Sequence, residues 1–115
     1  MKLLEHIRDP VYVLRPWQIF QRLRYGLRPP SGDTEVTLPW GDKLRVRAGE
    51  KNGRTILQRG IDQLTVVEAC IRLMESGGIG VDVGANYGQM AVALARGANP
   101  GGTVYAFEPH PGLFE

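Results

Sequence analysis

Five residues that could contact a ligand, Asp82, Gly84, Ala85, Asn86 and Gly88, lie in one run, Val81-Asp-Val-Gly-Ala-Asn-Tyr-Gly88, and Glu108-Pro109 begins 20 residues after Gly88. Glycines after a short apolar run let the backbone come close to a bound molecule, because no Cβ stands in the way. Asp82 falls near the C-terminal end of that run, where open α/β sheets place their ligands. Its carboxylate can order the loop and attract a positively charged amino group. Asn86 tolerates unusual backbone angles and hydrogen-bonds locally, which suits a turn leading into a helix. An acid at position 108 can accept hydrogen bonds from both hydroxyls of a ribose, and Pro109 stiffens the exit along the edge of an adenine. Each residue alone is ordinary, a glycine in a turn or an acid at a strand end. Together, in this order on a βαβ unit, they are hard to obtain by chance.

Such a site needs two strands and a helix. Ile79–Val83 is short, mostly apolar and bounded by glycine, and predicts a strand buried on both faces of a parallel sheet. A helix is expected over 87–96, with Met90, Ala91, Leu94 and Ala95 on its inner side. Ala98-Asn-Pro-Gly-Gly102 closes it, and Thr103–Phe107 supplies the next strand. The resulting βαβ unit should have a right-handed crossover. Upstream, Thr65-Val-Val-Glu68 has capping-box spacing, and Leu64, Val67, Ile71 and Met74 recur at helical intervals until Gly77-Gly78, predicting a helix over 65–76.

Farther back, residues 34–38 and 43–47 alternate polar and apolar around Pro39-Trp-Gly-Asp42, which reads as a β-hairpin with Trp40 packed beneath it. Residues 48–53 are polar and rich in turn formers, so a loop is expected there. Pro10, Pro16, Pro29 and Pro30 break residues 1–30 into short pieces. Pro16 suits the first turn of a short helix over 17–25 in which Trp17, Phe20 and Leu23 or Arg24 share a face. The organisation expected is a basic arm of short helices over 1–33, a hairpin over 34–51, and an α/β domain beginning at 52.

The 115 residues carry a formal net charge of +2, too little to argue for a nucleic-acid partner. The charge is uneven: residues 1–30 hold six Lys and Arg against Glu5 and Asp9, a net of +4. Such an arm either meets a membrane surface or acidic partner, or packs on its own domain, and the second reading is favoured. Cys70 is the single cysteine and sits in a helical apolar pattern, which predicts a buried thiol and a reducing, cytoplasmic setting. His6 and His110 lie far apart, so no metal site is expected. No apolar run is long enough for a transmembrane segment, and Met1-Lys-Leu-Leu-Glu5 does not develop into a signal peptide.

Residues from about 53 to 115, through Val81-Asp-Val-Gly-Ala-Asn-Tyr-Gly88 and Gly102-Thr-Val-Tyr-Ala-Phe-Glu-Pro109, resemble the FkbM family of S-adenosyl-L-methionine-dependent methyltransferases. The resemblance implies an α/β chain that forms the N-terminal part of a Rossmann-like class I methyltransferase fold, its βαβ unit preceded by a hairpin and a short helical arm. It implies S-adenosyl-L-methionine bound by Asp82, Gly84, Ala85, Asn86, Gly88, Glu108 and Pro109. Methyl transfer would be to oxygen, on a hydroxyl of a sugar, glycan or secondary metabolite, by in-line displacement in which alignment supplies much of the rate. No general base is assigned. His110, in Pro-His-Pro-Gly, reads as a surface or adenine-flanking residue rather than a catalytic one.

The run stops where the family pattern continues, so the chain is read as an incomplete enzyme, inactive by itself. Two rival readings stand beside this one. A nicotinamide oxidoreductase also uses a βαβ unit, but Gly84-Ala-Asn-Tyr-Gly88 lacks the Gly-x-Gly-x-x-Gly spacing for a pyrophosphate. The other rival is a truncated, non-catalytic interaction protein with a basic arm.

Overall fold

The computed structural model describes residues 16–114, and within the first helix it leaves out the side chains of 16–19, 21 and 22. The basic residues and prolines at 1–15 that entered the reading of the arm, and His6, lie outside the described residues. Helix α1 (Pro16–Leu27) is followed by strands β1 (Asp33–Thr37) and β2 (Lys43–Arg47), then helices α2 (Lys51–Arg59) and α3 (Leu64–Leu73). Strand β3 (Ile79–Val83), helix α4 (Gln89–Ala98), strand β4 (Thr103–Phe107) and the single-turn α5 (Pro111–Phe114) complete the order. The result is a small mixed α/β domain with one antiparallel and one parallel pair of strands.

The hairpin follows its alternation. β1 and β2 pair antiparallel from Asp33 opposite Arg47 to Thr37 opposite Lys43. Val36, Leu44 and Val46 are buried while the residues between them face outward or lie at the edge. Their inner face packs with Leu38, Ala48, Ile56 and Leu57 into one core cluster. Fully burying an aliphatic side chain contributes roughly 1.5–3 kcal/mol, so these contacts hold α2 onto the hairpin. A second cluster joins Ile61, Val67 and Ala93, with Leu64, Cys70, Ile71 and Met90 packed against it. Trp40, in the hairpin turn, packs against both clusters. Cys70 is half-buried rather than enclosed.

Where a loop was expected over 48–53, the chain turns at Ala48 to Glu50 and enters α2 at Lys51. Gly53 acts there as a contact residue, not a turn former: a Cβ at this position would stand 2.1 Å from the Arg47 carbonyl oxygen. Gly53, Ile56 and Leu57 form the buried stripe of α2, which ends with Gly60 in the left-handed region at φ 75°.

The capping box also fails. The N-cap of α3 is Gln63, at φ 51°, and Thr65 lies inside the helix. Glu68 instead accepts from the Arg72 guanidinium at 2.6 and 2.9 Å, one turn on. The helix stops at Leu73, and Met74 is already extended at ψ 130°.

β3 and β4 pair in parallel, Ile79 opposite Thr103 through Val83 opposite Phe107, with α4 between them in the chain. Helix α4 starts at Gln89 rather than 87, because Gly88 at φ 82° precedes it as cap. Its buried residues are Gln89, Ala93 and Ala98, while Ala95, expected inside, is exposed. The inner face is set by α3, which crosses α4 at Gly97, where a Cβ would meet the Ile71 carbonyl oxygen at 2.7 Å. Leu94 closes on the sheet at Gly80. Among the described residues the sheet is covered on this side only: Ile79, Val81, Val83, Tyr105 and Phe107 are all exposed, against the expectation of burial on both faces.

In α1, Phe20 and Leu23 of the expected shared face are more than half exposed. The helix packs on α2. Among the described residues, no helix is long and apolar enough to cross a membrane.

Candidate cofactor site

The loop between β3 and α4 is built from three left-handed residues, Gly84 at φ 81°, Asn86 at φ 53° and Gly88 at φ 82°. Each does a separate job. At Gly84 the chain leaves β3 with its N–H, and the next one at Ala85, both donating to the Phe107 carbonyl at 2.8 and 3.0 Å. This anchors the loop to the end of β4. Asn86 holds its left-handed angle with its own side chain, whose Oδ1 accepts the Tyr87 N–H at 2.9 Å, the local bonding that makes asparagine tolerable there. Gly88 donates to Ala85 at 2.7 Å and opens α4 through the Val92 bond to its carbonyl. A Cβ at Gly84 or Gly88 would meet nothing within 4 Å. Backbone angle, not crowding inside the protein, therefore requires glycine, and open space lies over the loop.

Beside the loop is a cleft of about 240 Å³. Asp82, Gly84, Ala85 and Asn86 line it, together with Tyr87, Gln89 and Met90 and with Asn52, Ile56, Asp62 and Gln63 from the α2 side. Asp82 Oδ2 is buried and has no hydrogen-bond partner among the described residues. An unmet buried carboxylate oxygen lacks compensation for its lost hydration. A cationic or N–H-bearing ligand group in the cleft would supply it.

Glu108 borders the loop and does not line the cleft. Its Oε2 accepts the Asn86 N–H at 2.7 Å and its Oε1 accepts the His110 N–H at 2.8 Å. A carboxylate offers about four acceptor positions, so two remain for ligand hydroxyls while the first two brace the loop. Pro109 and His110 are exposed.

Three partners of the loop were missed in the sequence. Gln89, 6% exposed, bonds the backbone of Asp62 through both atoms of its amide, its Oε1 taking the N–H at 2.8 Å and its Nε2 donating to the carbonyl at 2.6 Å. The Tyr87 hydroxyl donates to the Glu50 carboxylate at the start of α2. Arg47 in turn reaches Glu50 at 3.4 Å, Asp33 at 3.7 Å and the Gly112 carbonyl. Burial, reinforced by the Glu50 bond and charge, pushes the Tyr87 phenol up to about 12. The same bond, with help from Arg47, holds the Glu50 carboxyl below its ordinary value. Neither group is tuned to take a proton near neutrality, since a lowered carboxyl is a weak base and a raised phenol stays protonated. The Gln89–Asp62, Tyr87–Glu50 and Arg47–Gly112 pairings leave no spacing signal, because their partners are 27 to 65 residues apart.

No group of three or more His, Cys, Asp or Glu able to hold a metal occurs among the described residues. Models of known protein families, curated proteins and solved structures were all compared with the chain, and none matches it.

Proposed function

We propose that the chain binds S-adenosyl-L-methionine with the cleft and loop at the C-terminal end of β3, as the first βαβ unit of a class I, Rossmann-like methyltransferase of the FkbM type. The observation that carries this reading is the unpartnered Asp82 oxygen in a cleft walled by a left-handed glycine loop on a parallel strand pair. The donor set fits the group. Asp82 would hold the amino group of the methionine part, and the surface over Gly84, Ala85 and Gly88 would admit the nucleoside without a side chain in its path. Glu108 would take the ribose hydroxyls with the acceptor positions left by Asn86 and His110, and Pro109 would border the adenine.

When bound, the cofactor supplies an electrophilic methyl group on a sulfonium. The residues of the chain contribute binding and orientation: the braced loop fixes the cofactor with little freedom left to lose, and such alignment contributes much of the acceleration of a two-reactant displacement. The acceptor is a hydroxyl of a sugar, glycan or secondary metabolite, on the strength of the sequence resemblance. No residue is assigned as its base.

Calorimetric titration of the chain with S-adenosyl-L-methionine tests the reading. Saturable binding that NAD does not compete with, and that Glu108→Ala weakens on the order of tenfold or more through lost charge-assisted hydrogen bonds, is expected. Binding of NAD in place of S-adenosyl-L-methionine would overturn it.

A further inference from the structure

Gln89 is the one buried polar side chain among the described residues. It sits at the first position of α4, directly after the glycine loop. Its amide meets the N–H and the carbonyl of one residue, Asp62, as an antiparallel strand would, and this fixes which end of the amide carries oxygen. The Asp62 carboxylate also accepts the Gln63 N–H at 3.0 Å. Gln63 follows at φ 51°, a left-handed angle that a residue with a side chain adopts at a penalty. Both Asp62 and Gln63 line the cleft that Asp82 lines. A strained two-residue wall is thus tied to the helix that begins at the glycine loop, by a buried pair of bonds with no water needed.

We infer that Gln89 is a positioning residue: its amide holds Asp62 and Gln63 as the wall of the cleft and thereby sets the affinity for S-adenosyl-L-methionine. The inference rests on the proposed function and names the element that gives the cleft its shape. Without the amide, the Asp62 N–H and carbonyl must find water, and the left-handed angle at Gln63 loses its brace. The wall then samples positions that no longer face Asp82's end of the cleft, and the cofactor must reorder it on binding, which lowers apparent affinity.

The test compares the full chain with Gln89→Leu, which keeps the bulk and removes both bonds, and with Val36→Ala, which opens the hairpin core at a residue that does not line the cleft. Titration with S-adenosyl-L-methionine is read beside the thermal midpoint, with hydrogen exchange at the 61–64 segment as a third readout. Expected are a loss of affinity on the order of tenfold or more for Gln89→Leu, faster exchange at 61–64, and unchanged affinity for Val36→Ala despite its lower midpoint. Should Gln89→Leu not fold, Gln89→Glu replaces it. This variant keeps the acceptor and loses the donor until the introduced carboxyl is protonated, with the Asp62 and Asp82 carboxylates in the same cleft favouring protonation. Its affinity relative to wild type at the same pH should therefore recover as the pH falls toward about 5.

Wild-type affinity in Gln89→Leu, or equal losses in Gln89→Leu and Val36→Ala, overturns the inference while leaving the proposed function standing. Failure of the wild-type chain to bind S-adenosyl-L-methionine overturns that function and the inference with it.

Discussion

At the scale of single residues, the site divides into side chains that announce themselves by type and those that act through a distant partner. Gly84, Asn86 and Gly88 belong to the first kind: only a few residue types accept left-handed angles, so their spacing in the sequence already marks the turn. Asp82 was legible as an acid at a strand end, although nothing in the sequence says that one of its oxygens lacks a partner. Gln89 and the Tyr87–Glu50 pair belong to the second kind, since a glutamine or tyrosine is commonplace until the fold brings its partner to it.

The Tyr87–Glu50 bond has a measurable pH signature. The folded phenol has its value raised from 10.0 to about 12, so folding favours its neutral form. The stability it contributes is complete below the unfolded value and is lost as the pH rises between those two limits. Glu50, with its value lowered, contributes stability that is present above the ordinary carboxyl range and is lost as the pH falls through it. Tyr87→Phe should therefore flatten the alkaline limb of the thermal midpoint plotted against pH, and shrink the acid limb. Identical limbs in the two proteins would count against the bond.

Among the elements, periodicity recovered β1, β2, β3 and β4 almost to the residue, because alternation and glycine boundaries both encode a strand. Helix α2 escaped because Gly53 and Asn52 look like turn formers. The reason for glycine there lies on another element, in the carbonyl of Arg47 at the end of β2. The capping box at Thr65 misled in the opposite sense: the spacing is present, but Gln63 begins the helix and Glu68 is drawn to Arg72. Gly53→Ala makes the distinction testable. Alanine is the better helix former by about 1 kcal/mol, so a free helix would gain stability. Contact with the Arg47 backbone should reverse the sign and destabilise the protein by about 1–3 kcal/mol, read by urea denaturation. A stabilised variant would show that α2 does not press on the hairpin.

Over the whole molecule, the two core clusters and the bare outer face of the parallel pair explain what the sequence could not settle. An apolar strand bounded by glycine predicts burial, but not from how many sides. Here, among the described residues, α4 packs on β3 and β4 from one side only, with Leu94 against Gly80, and five large apolar side chains face outward on the other. The parallel unit is held from beneath, through α4 and α3, and Tyr87, Val92 and Trp40 join it to the hairpin core. Among these Trp40 stands apart, because it touches both clusters and its indole N–H is enclosed without an acceptor.

That position makes Trp40 a built-in optical gauge of whether the two halves are seated on each other. With the second tryptophan removed as Trp17→Phe, emission should be blue-shifted in the native protein and should move to the red in the same transition that abolishes the far-ultraviolet circular dichroism, as one cooperative event. A red shift that precedes the loss of dichroism would mean that the hairpin undocks from the parallel unit while each keeps its secondary structure. The fluorescence of one side chain would then time the opening of the seam between them.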